Sequence, residues 1–284
     1  MSASQTQPRP TPANDLRDLL DARYGAAESP AGVHVNDTIA ALLGHRTVRA
    51  FSARPLPAGL VETLAAAAQS APSSSNLQTF SLVAVEKPET KARLAEIAGG
   101  QKHVTEAPLV LVWLADLARL EEIGRRAGAP TDALGFLETL FVGIIDAALA
   151  AQNALVALES LGLGGVYIGA LRNRPEEVAQ LLGLPPNVLA VFGLCVGWPD
   201  PERPAQVKPR LSQRLVVHRE RYDPSLPQDA LDAYEAALTS FQQDQHMPEV
   251  GWAGTALNRV RGPEALSGRD RMRAALQALG FGLR

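Results

Sequence analysis

The stretch from Thr131 to Leu161 constrains the fold more than any other part of the chain. Leu134, Leu137, Phe141, Ile144, Ile145, Ala148, Leu155 and Leu158 recur there at helical spacing, and a helix of about 30 residues would be about 45 Å long at 1.5 Å per residue. Apolar side chains cover much of its circumference, so it must be buried on several sides. In a chain of 284 residues a subunit interface would supply the extra side, and a homodimer is expected. The most apolar part, Phe141 to Ala151, contains Asp146 and is too short to span a bilayer, so no membrane partner is expected.

The remaining pattern mixes helices and strands. With 46% of residues apolar, a sizeable core can form. Four strands are expected, Phe80 to Val85, Leu109 to Leu114, Gly165 to Ile168 and Leu189 to Val196. Helical spacing predicts Asp15 to Tyr24, a helix capped by Asn36 or Asp37 and stopped by Gly44, and one opened by Pro57 that runs to Gln69. Further helices are expected at Pro88 to Ala98, Pro175 to Gly183, Asp229 to Gln243, and as a basic amphipathic segment over 269–279. Strict βαβα alternation is missing, which favours an α+β sandwich over a doubly wound sheet. Residues 1–14, rich in Ser, Gln, Pro and Thr, predict a flexible tail and lack the basic start and apolar run of a secretory signal. Trp198 to Arg210 holds four prolines and reads as an extended arm.

Charge and motif searches exclude several functions. There are 27 basic and 30 acidic residues, a formal net charge of -3, so no global field recruits nucleic acid. Cys195 is the only cysteine and lies in the apolar run Ala190 to Gly197; it reads as a buried core residue, in keeping with a reducing cytoplasm. Gly162-Leu163-Gly164-Gly165-Val166-Tyr167 begins like a dinucleotide fingerprint, but Tyr167 stands in place of the third glycine and the segment runs helix to strand. A tight turn is the better reading. The five histidines (His34, His45, His103, His218, His246) form no HxxxH or HExxH pair, and no metal is expected. Ser73, Ser74 and Ser75 lack the G-x-S-x-G turn of a serine hydrolase.

What remains is a scattered polar set: His45-Arg46-Thr47-Val48-Arg49 after a helix stop, Ser73-Ser74-Ser75-Asn76-Leu77-Gln78 before a strand, and Lys208-Pro209-Arg210 after the arm. Each alone reads as a solvated loop. Together they offer donors for a phosphate, a polyol and a heteroaromatic ring with carbonyl edges. With Gly44 before the first segment, Gly99-Gly100-Gln101-Lys102-His103-Val104, and Gly164-Gly165-Val166-Tyr167-Ile168-Gly169-Ala170-Leu171-Arg172-Asn173, the five segments occur in one order across roughly residues 36 to 220. In that order they resemble the nitroreductase superfamily, in its oxygen-insensitive NADPH nitroreductase and NADPH-flavin oxidoreductase branch.

The resemblance implies a three-layer α+β sandwich, a mainly antiparallel four-stranded sheet flanked by helices, in an interlocked homodimer with one FMN per active site. It implies a core domain over 36–220, an N-terminal extension over 1–35 and a C-terminal helical excursion over 221–284. Carried over residue by residue, Arg46, Thr47, Lys208 and Arg210 would clamp the FMN phosphate, with His45 in the same loop. Arg49 would lie by the pyrimidine edge, and Ser73, Ser74, Ser75, Gln78 and Gln101 would donate to ribityl or ring atoms. The segment Tyr167, Ile168, Gly169 and Ala170 would border the ring, the Gly169 N–H directed at N5, while Arg172 and Asn173 would meet the nicotinamide donor. Hydride would pass from NADPH or NADH through flavin N5 to a small acceptor (nitroaromatic, quinone, free flavin or azo dye) by a ping-pong sequence. No residue is assigned as an acid–base catalyst.

Three departures from the family pattern are visible. Thr47 replaces a serine, Ala170 replaces a second glycine and would set a methyl beside the flavin, and an Arg-rich loop gives way to His246-Met247-Pro248-Glu249-Val250-Gly251-Trp252. The last predicts weak discrimination between NADPH and NADH, unless Arg269, Arg271 and Arg273 fold back to replace the lost charge. The alternatives are a flavin-binding dimer that acts as a redox sensor or interaction protein, and another enzyme of the superfamily, a reductive dehalogenase or an enone reductase.

Overall fold

The computed structural model describes residues 13–284 of the chain, and side chains from Leu16 onward. In chain order its elements are α1 (Ala13–Tyr24), α2 (Asp37–Leu43), α3 (Leu60–Gln69), β1 (Phe80–Val85), α4 (Pro88–Ile97), α5 (Lys102–Glu106), β2 (Leu109–Asp116), α6 (Ala118–Ala127) and α7 (Leu137–Ser160). β3 (Gly164–Ile168), α8 (Pro175–Leu182), β4 (Val188–Gly197), α9 (Gln228–Asp244), α10 (Trp252–Val260) and α11 (Met272–Ala278) follow. The expected tail over 1–14 lies outside the described residues except for its last two, which open α1.

Two compact units are present, one from the segment ending at Arg46 together with Gln206–Val260, the other from Thr47–Ala205 with Arg261–Arg284. The larger unit is an α+β sandwich. Its four strands pair antiparallel throughout in the order β1-β2-β4-β3, so β2 and β4 are central. Period-two alternation sends successive side chains of β2 to opposite faces. Val110, Val112 and Leu114 join a core with α4, α5 and α8 residues such as Leu94, Val104 and Val178. Leu109, Leu111 and Trp113 join Leu60 and Leu64 of α3 and Ala150, Ala154 and Leu158 of α7 on the other face. The sheet is therefore covered on both sides, which explains why its central strands read as continuous apolar runs. Cys195 is fully buried in β4, as its apolar context predicts, and burial pushes its thiol up to about 12.

The long apolar segment is divided. Asp132–Gly135 forms a 3-10 turn, Phe136 is extended, and α7 proper has 24 residues, about 36 Å rather than 45 Å. By length and composition alone α7, longer than its most apolar stretch Phe141 to Ala151, could cross a membrane. Its inner face packs on α3 and the sheet instead. Small residues allow that approach: a Cβ added at Gly143 would lie 3.1 Å from the Ala115 Cβ. The outer face leaves Leu137, Phe141, Ile145 and Leu149 exposed by 40–55%, four apolar side chains at i, i+4 spacing in one stripe.

The smaller unit joins α1, α2, α9 and α10. Asn36 caps α2, accepting from Ile39 N at 2.9 Å, as the sequence predicts. The Glu235 carboxylate of α9 accepts from the backbone N–H groups of Trp252 and Ala253 at 2.7 and 2.6 Å, satisfying orphan donors at the start of α10.

Candidate active site

In the larger unit, Thr47 to Phe51 runs beside β3. Thr47 bridges Gly165, and Val48 N donates to Gly165 O at 3.0 Å. Gly164 makes this approach possible, because a Cβ there would lie 2.4 Å from Val48 Cγ2. Gly162, at φ +82°, takes the turn from α7 into β3. The Gly162–Gly165 cluster is thus a turn and a close backbone contact, not a phosphate cradle.

β3 leads directly into a 3-10 turn, Gly169–Asn173. The Arg172 guanidinium donates to Val191 O and covers Gly169, where an added Cβ would sit 3.4 Å from Nη2. The Asn173 Oδ1 is buried and has no hydrogen-bond partner among the described residues. Tyr167 meets the Phe192 ring edge-on, with centroids 5.2 Å apart. The Ile168 side chain is fully buried in the core, so any ligand contact it makes is through backbone. The Ala170 side chain is partly buried and packs against that same core.

Gln101 spends an amide hydrogen on Ala98 O at 3.1 Å. Next to it on α5, the His103 imidazole is held below its usual pKa, first by burial and then by the charge of Arg49. Its Nε2 is buried with no hydrogen-bond partner among the described residues.

The serine loop before β1 is tense. Ser75, Asn76 and Gln78 take φ of 49°, 53° and 52°, a left-handed conformation uncommon outside glycine. Two long-range anchors hold it there. The Oδ2 of Asp146, a residue 2% exposed in the middle of α7, accepts from Ser73 Oγ at 2.7 Å, Thr79 N at 2.8 Å and Thr79 Oγ1 at 2.9 Å. On the other side Arg119 of α6 donates to Gln78 O and Phe80 O, both at 2.8 Å. Ser73 also accepts from Gln78 N at 2.8 Å. A hydroxyl has one proton, and Ser73 gives its own to Asp146, so Ser73 shapes the loop; Ser74, Ser75 and Gln78 are the exposed members.

In the smaller unit, Gly44-His45-Arg46 and Lys208-Pro209-Arg210 are brought together although His45 and Lys208 lie 163 positions apart in the chain. 

The link between them is Arg23 of α1, only 6% exposed. Its Nη1 donates to Lys208 O at 2.9 Å, and its Nη2 to Leu43 O at 2.7 Å and His45 O at 3.0 Å. Its own carbonyl accepts from Arg210 N at 2.7 Å. The Lys208 ammonium lies 5.6 Å from the Phe241 ring centre.

Several arginines elsewhere in the chain are held by carboxylates. Arg93, Arg214 and Arg271 pair with Glu177, Asp229 and Glu176. Among the described residues Arg46, Arg49 and Arg210 form no ion pair with a carboxylate; Arg46 and Arg210 turn to carbonyls of their own loops, at 3.2–3.4 Å. Exposed guanidinium groups without carboxylates are suited to an external anion. The donor set therefore fits a phosphate-bearing cofactor, and the orphaned Asn173 Oδ1 offers an acceptor for an amide or hydroxyl. Of the three C-terminal arginines, Arg271 pairs with Glu176 and Arg269 donates to Leu266 O. Sequence reasoning missed Asp146, Arg119 and Arg23 as organisers of the site loops. The only signals were a carboxylate inside an apolar helix and an arginine near the end of an amphipathic one.

Family models match this architecture. The nitroreductase family model covers residues 42–198, and the model of the nitroreductase C-terminal domain covers 208–284. The chain belongs to the nitroreductase family. It is 43% identical to the oxygen-insensitive NADPH nitroreductase of Salmonella typhimurium over 207 residues, 73% of this chain and 83% of that protein. It is 40% identical to the NADPH-flavin oxidoreductase of Vibrio harveyi over the same shares of each. The solved structure of nitroreductase A from Vibrio parahaemolyticus superposes with a TM-score of 0.78 at 36% identity, covering 88% of this chain and all of that one.

Proposed function

We propose that the protein is an NAD(P)H-dependent FMN oxidoreductase that reduces small acceptors such as nitroaromatics, quinones or free flavin. The observation that carries this reading is the set of guanidinium groups, Arg46, Arg49 and Arg210, that have no carboxylate partners in a chain of this family. Arg46, Thr47, Lys208 and Arg210, with His45, would hold the phosphate. Arg49 would neutralise charge at the ring, and Ser74, Ser75, Gln78 and Gln101 would bind ribityl or ring atoms, with Ser73 acting through the loop. Tyr167 and Ile168 would contribute backbone, and Gly169 and Ala170 a close approach, beside Arg172 and Asn173 at the nicotinamide donor. Bound FMN would supply a two-electron relay, accepting hydride from the donor and passing it on after the donor leaves.

The exposed stripe of α7 supports a homodimer, since apolar side chains at regular spacing need a cover that one subunit does not give. A cytoplasmic setting accords with a single cysteine buried as a thiol. Donor choice follows from the 245–251 turn, where Glu249 binds the Gln243 amide at 2.9 Å and no arginine stands ready for a 2′-phosphate. Weak discrimination between NADPH and NADH is the result. The deciding experiment is the visible spectrum of the purified protein followed by anaerobic titration with each donor. A yellow protein that releases FMN on denaturation and bleaches with NAD(P)H supports the reading; a colourless protein that FMN does not reconstitute overturns it. Bleaching without turnover on any acceptor would indicate a sensor instead.

A further inference from the structure

We infer that Arg23 is a positioning residue for the phosphate-binding loops, an inference that rests on the FMN reading above. The residue lies on α1, outside both family-matched segments, 42–198 and 208–284. Its guanidinium is buried, and planar N–H donors reach carbonyls of both cation-bearing segments: Leu43 and His45 on one side, Lys208 on the other. Leu43 is the last residue of α2, and α2 has no basic residue in its final turn, so the cation also meets the negative end of that helix. The Arg210 N–H returns a bond to Arg23 O, which fixes the backbone from which the Arg210 side chain departs.

The consequence is geometric. Partly buried carbonyls from two loops point at a common centre, and a multidentate donor that fills it holds them together. Arg46 and Arg210 project from those loops, one residue after His45 and two after Lys208. If the centre is lost, the cations remain in the protein but their spacing is no longer set. A phosphate monoester is sensitive to that spacing; a neutral ribityl chain and ring are not.

The test compares FMN with riboflavin, which lacks only the phosphate. Dissociation constants are measured by fluorescence quenching on full-length apoprotein for the wild type, Arg23→Gln, Arg23→Lys and the control Arg17→Ala, whose exposed side chain pairs with Asp21 on the same helix. Wild type is expected to bind FMN more tightly than riboflavin. Arg23→Gln should weaken FMN about tenfold, about 1.4 kcal/mol, leave riboflavin unchanged, and abolish much of the preference. Arg23→Lys keeps the charge without the planar fork and should fall between. Arg17→Ala should match wild type. If wild type shows no preference for FMN, the phosphate reading fails before Arg23 is tested. If wild type prefers FMN and both Arg23 variants keep the full preference, the positioning role is overturned. An equal loss of FMN and riboflavin would also overturn it, since that marks a general structural role. Should Arg23→Gln not fold, Arg23→Lys alone decides on the same ratio.

Discussion

Removing the carboxylate of Asp146 should release the serine loop and cost more stability than its single charge implies. Its Oδ2 accepts from Ser73 Oγ, Thr79 N and Thr79 Oγ1, and Thr79 is only 1% exposed. In Asp146→Ala the two Thr79 donors lose their acceptor where water does not reach, while the half-buried Ser73 hydroxyl can turn to solvent. Each unmet buried donor costs about 1–3 kcal/mol, and breaking a buried charged network by removing one partner costs about 3–5 kcal/mol in all. Asp146→Asn keeps an oxygen of the same shape but loses the charge, so a smaller loss of about 1–2 kcal/mol is expected. The loop adds a local effect. Left-handed residues cost about 1 kcal/mol or more each, so Ser75, Asn76 and Gln78 relax once the anchor is gone. FMN affinity should then fall along with global stability. Urea midpoints at one fixed protein concentration, with and without FMN, measure both. The order wild type, Asn, Ala is expected. An Asp146→Ala protein within about 1 kcal/mol of wild type, with unchanged FMN affinity, would refute the anchoring argument.

Arg210→Ala should weaken FMN binding by about 1.5–3 kcal/mol, roughly tenfold to a hundredfold, while Cys195→Ala leaves it nearly unchanged; equal dissociation constants for wild type and Arg210→Ala would show the clamp misassigned. Ile145→Glu, which sets a carboxylate in the α7 stripe, should convert a dimer to monomer at micromolar concentration, and sedimentation showing an intact dimer would place the interface elsewhere. His103 is held below its usual pKa, so the folded state takes up its proton less readily than the unfolded chain does. The stability it contributes is complete above the ordinary histidine value of about 6.5 and is lost as pH falls through and below it. His103→Gln should flatten the acid side of the urea-midpoint profile, and an unchanged slope would assign that pH dependence to other groups.

Periodic features were readable from sequence and irregular ones were not. The strands stood out because β2 and β4 are buried on both faces, and Asn36 announced a cap by its position before Ile39 and Leu42. α6 gave little signal, because Glu121, Glu122, Arg125 and Arg126 outnumber its apolar Leu120 and Ile123. α7 was drawn too long because Leu134 keeps the apolar spacing across a 3-10 turn and an extended residue. The site segments were recognisable from their order in the family. Their organisers were not, since Asp146 lies 73 residues from Ser73, and Arg23 lies 185 from Lys208. Hydrogen bonds over such separations leave no period in the sequence.

β3 is the last strand on its side of the sheet, and what lies against it is the segment that begins with Thr47. An uncovered edge of this kind is a template for another chain's backbone. The same few residues, which in the proposed site bring Thr47 and Arg49 to the cofactor, thus also shield the sheet from intermolecular pairing. Their two tasks are coupled: whatever orders this segment protects solubility, and whatever frees it opens a route to aggregation. Apoprotein should accordingly be the more fragile form in handling, for a reason that lies in the backbone at the rim of the sheet and not in the core.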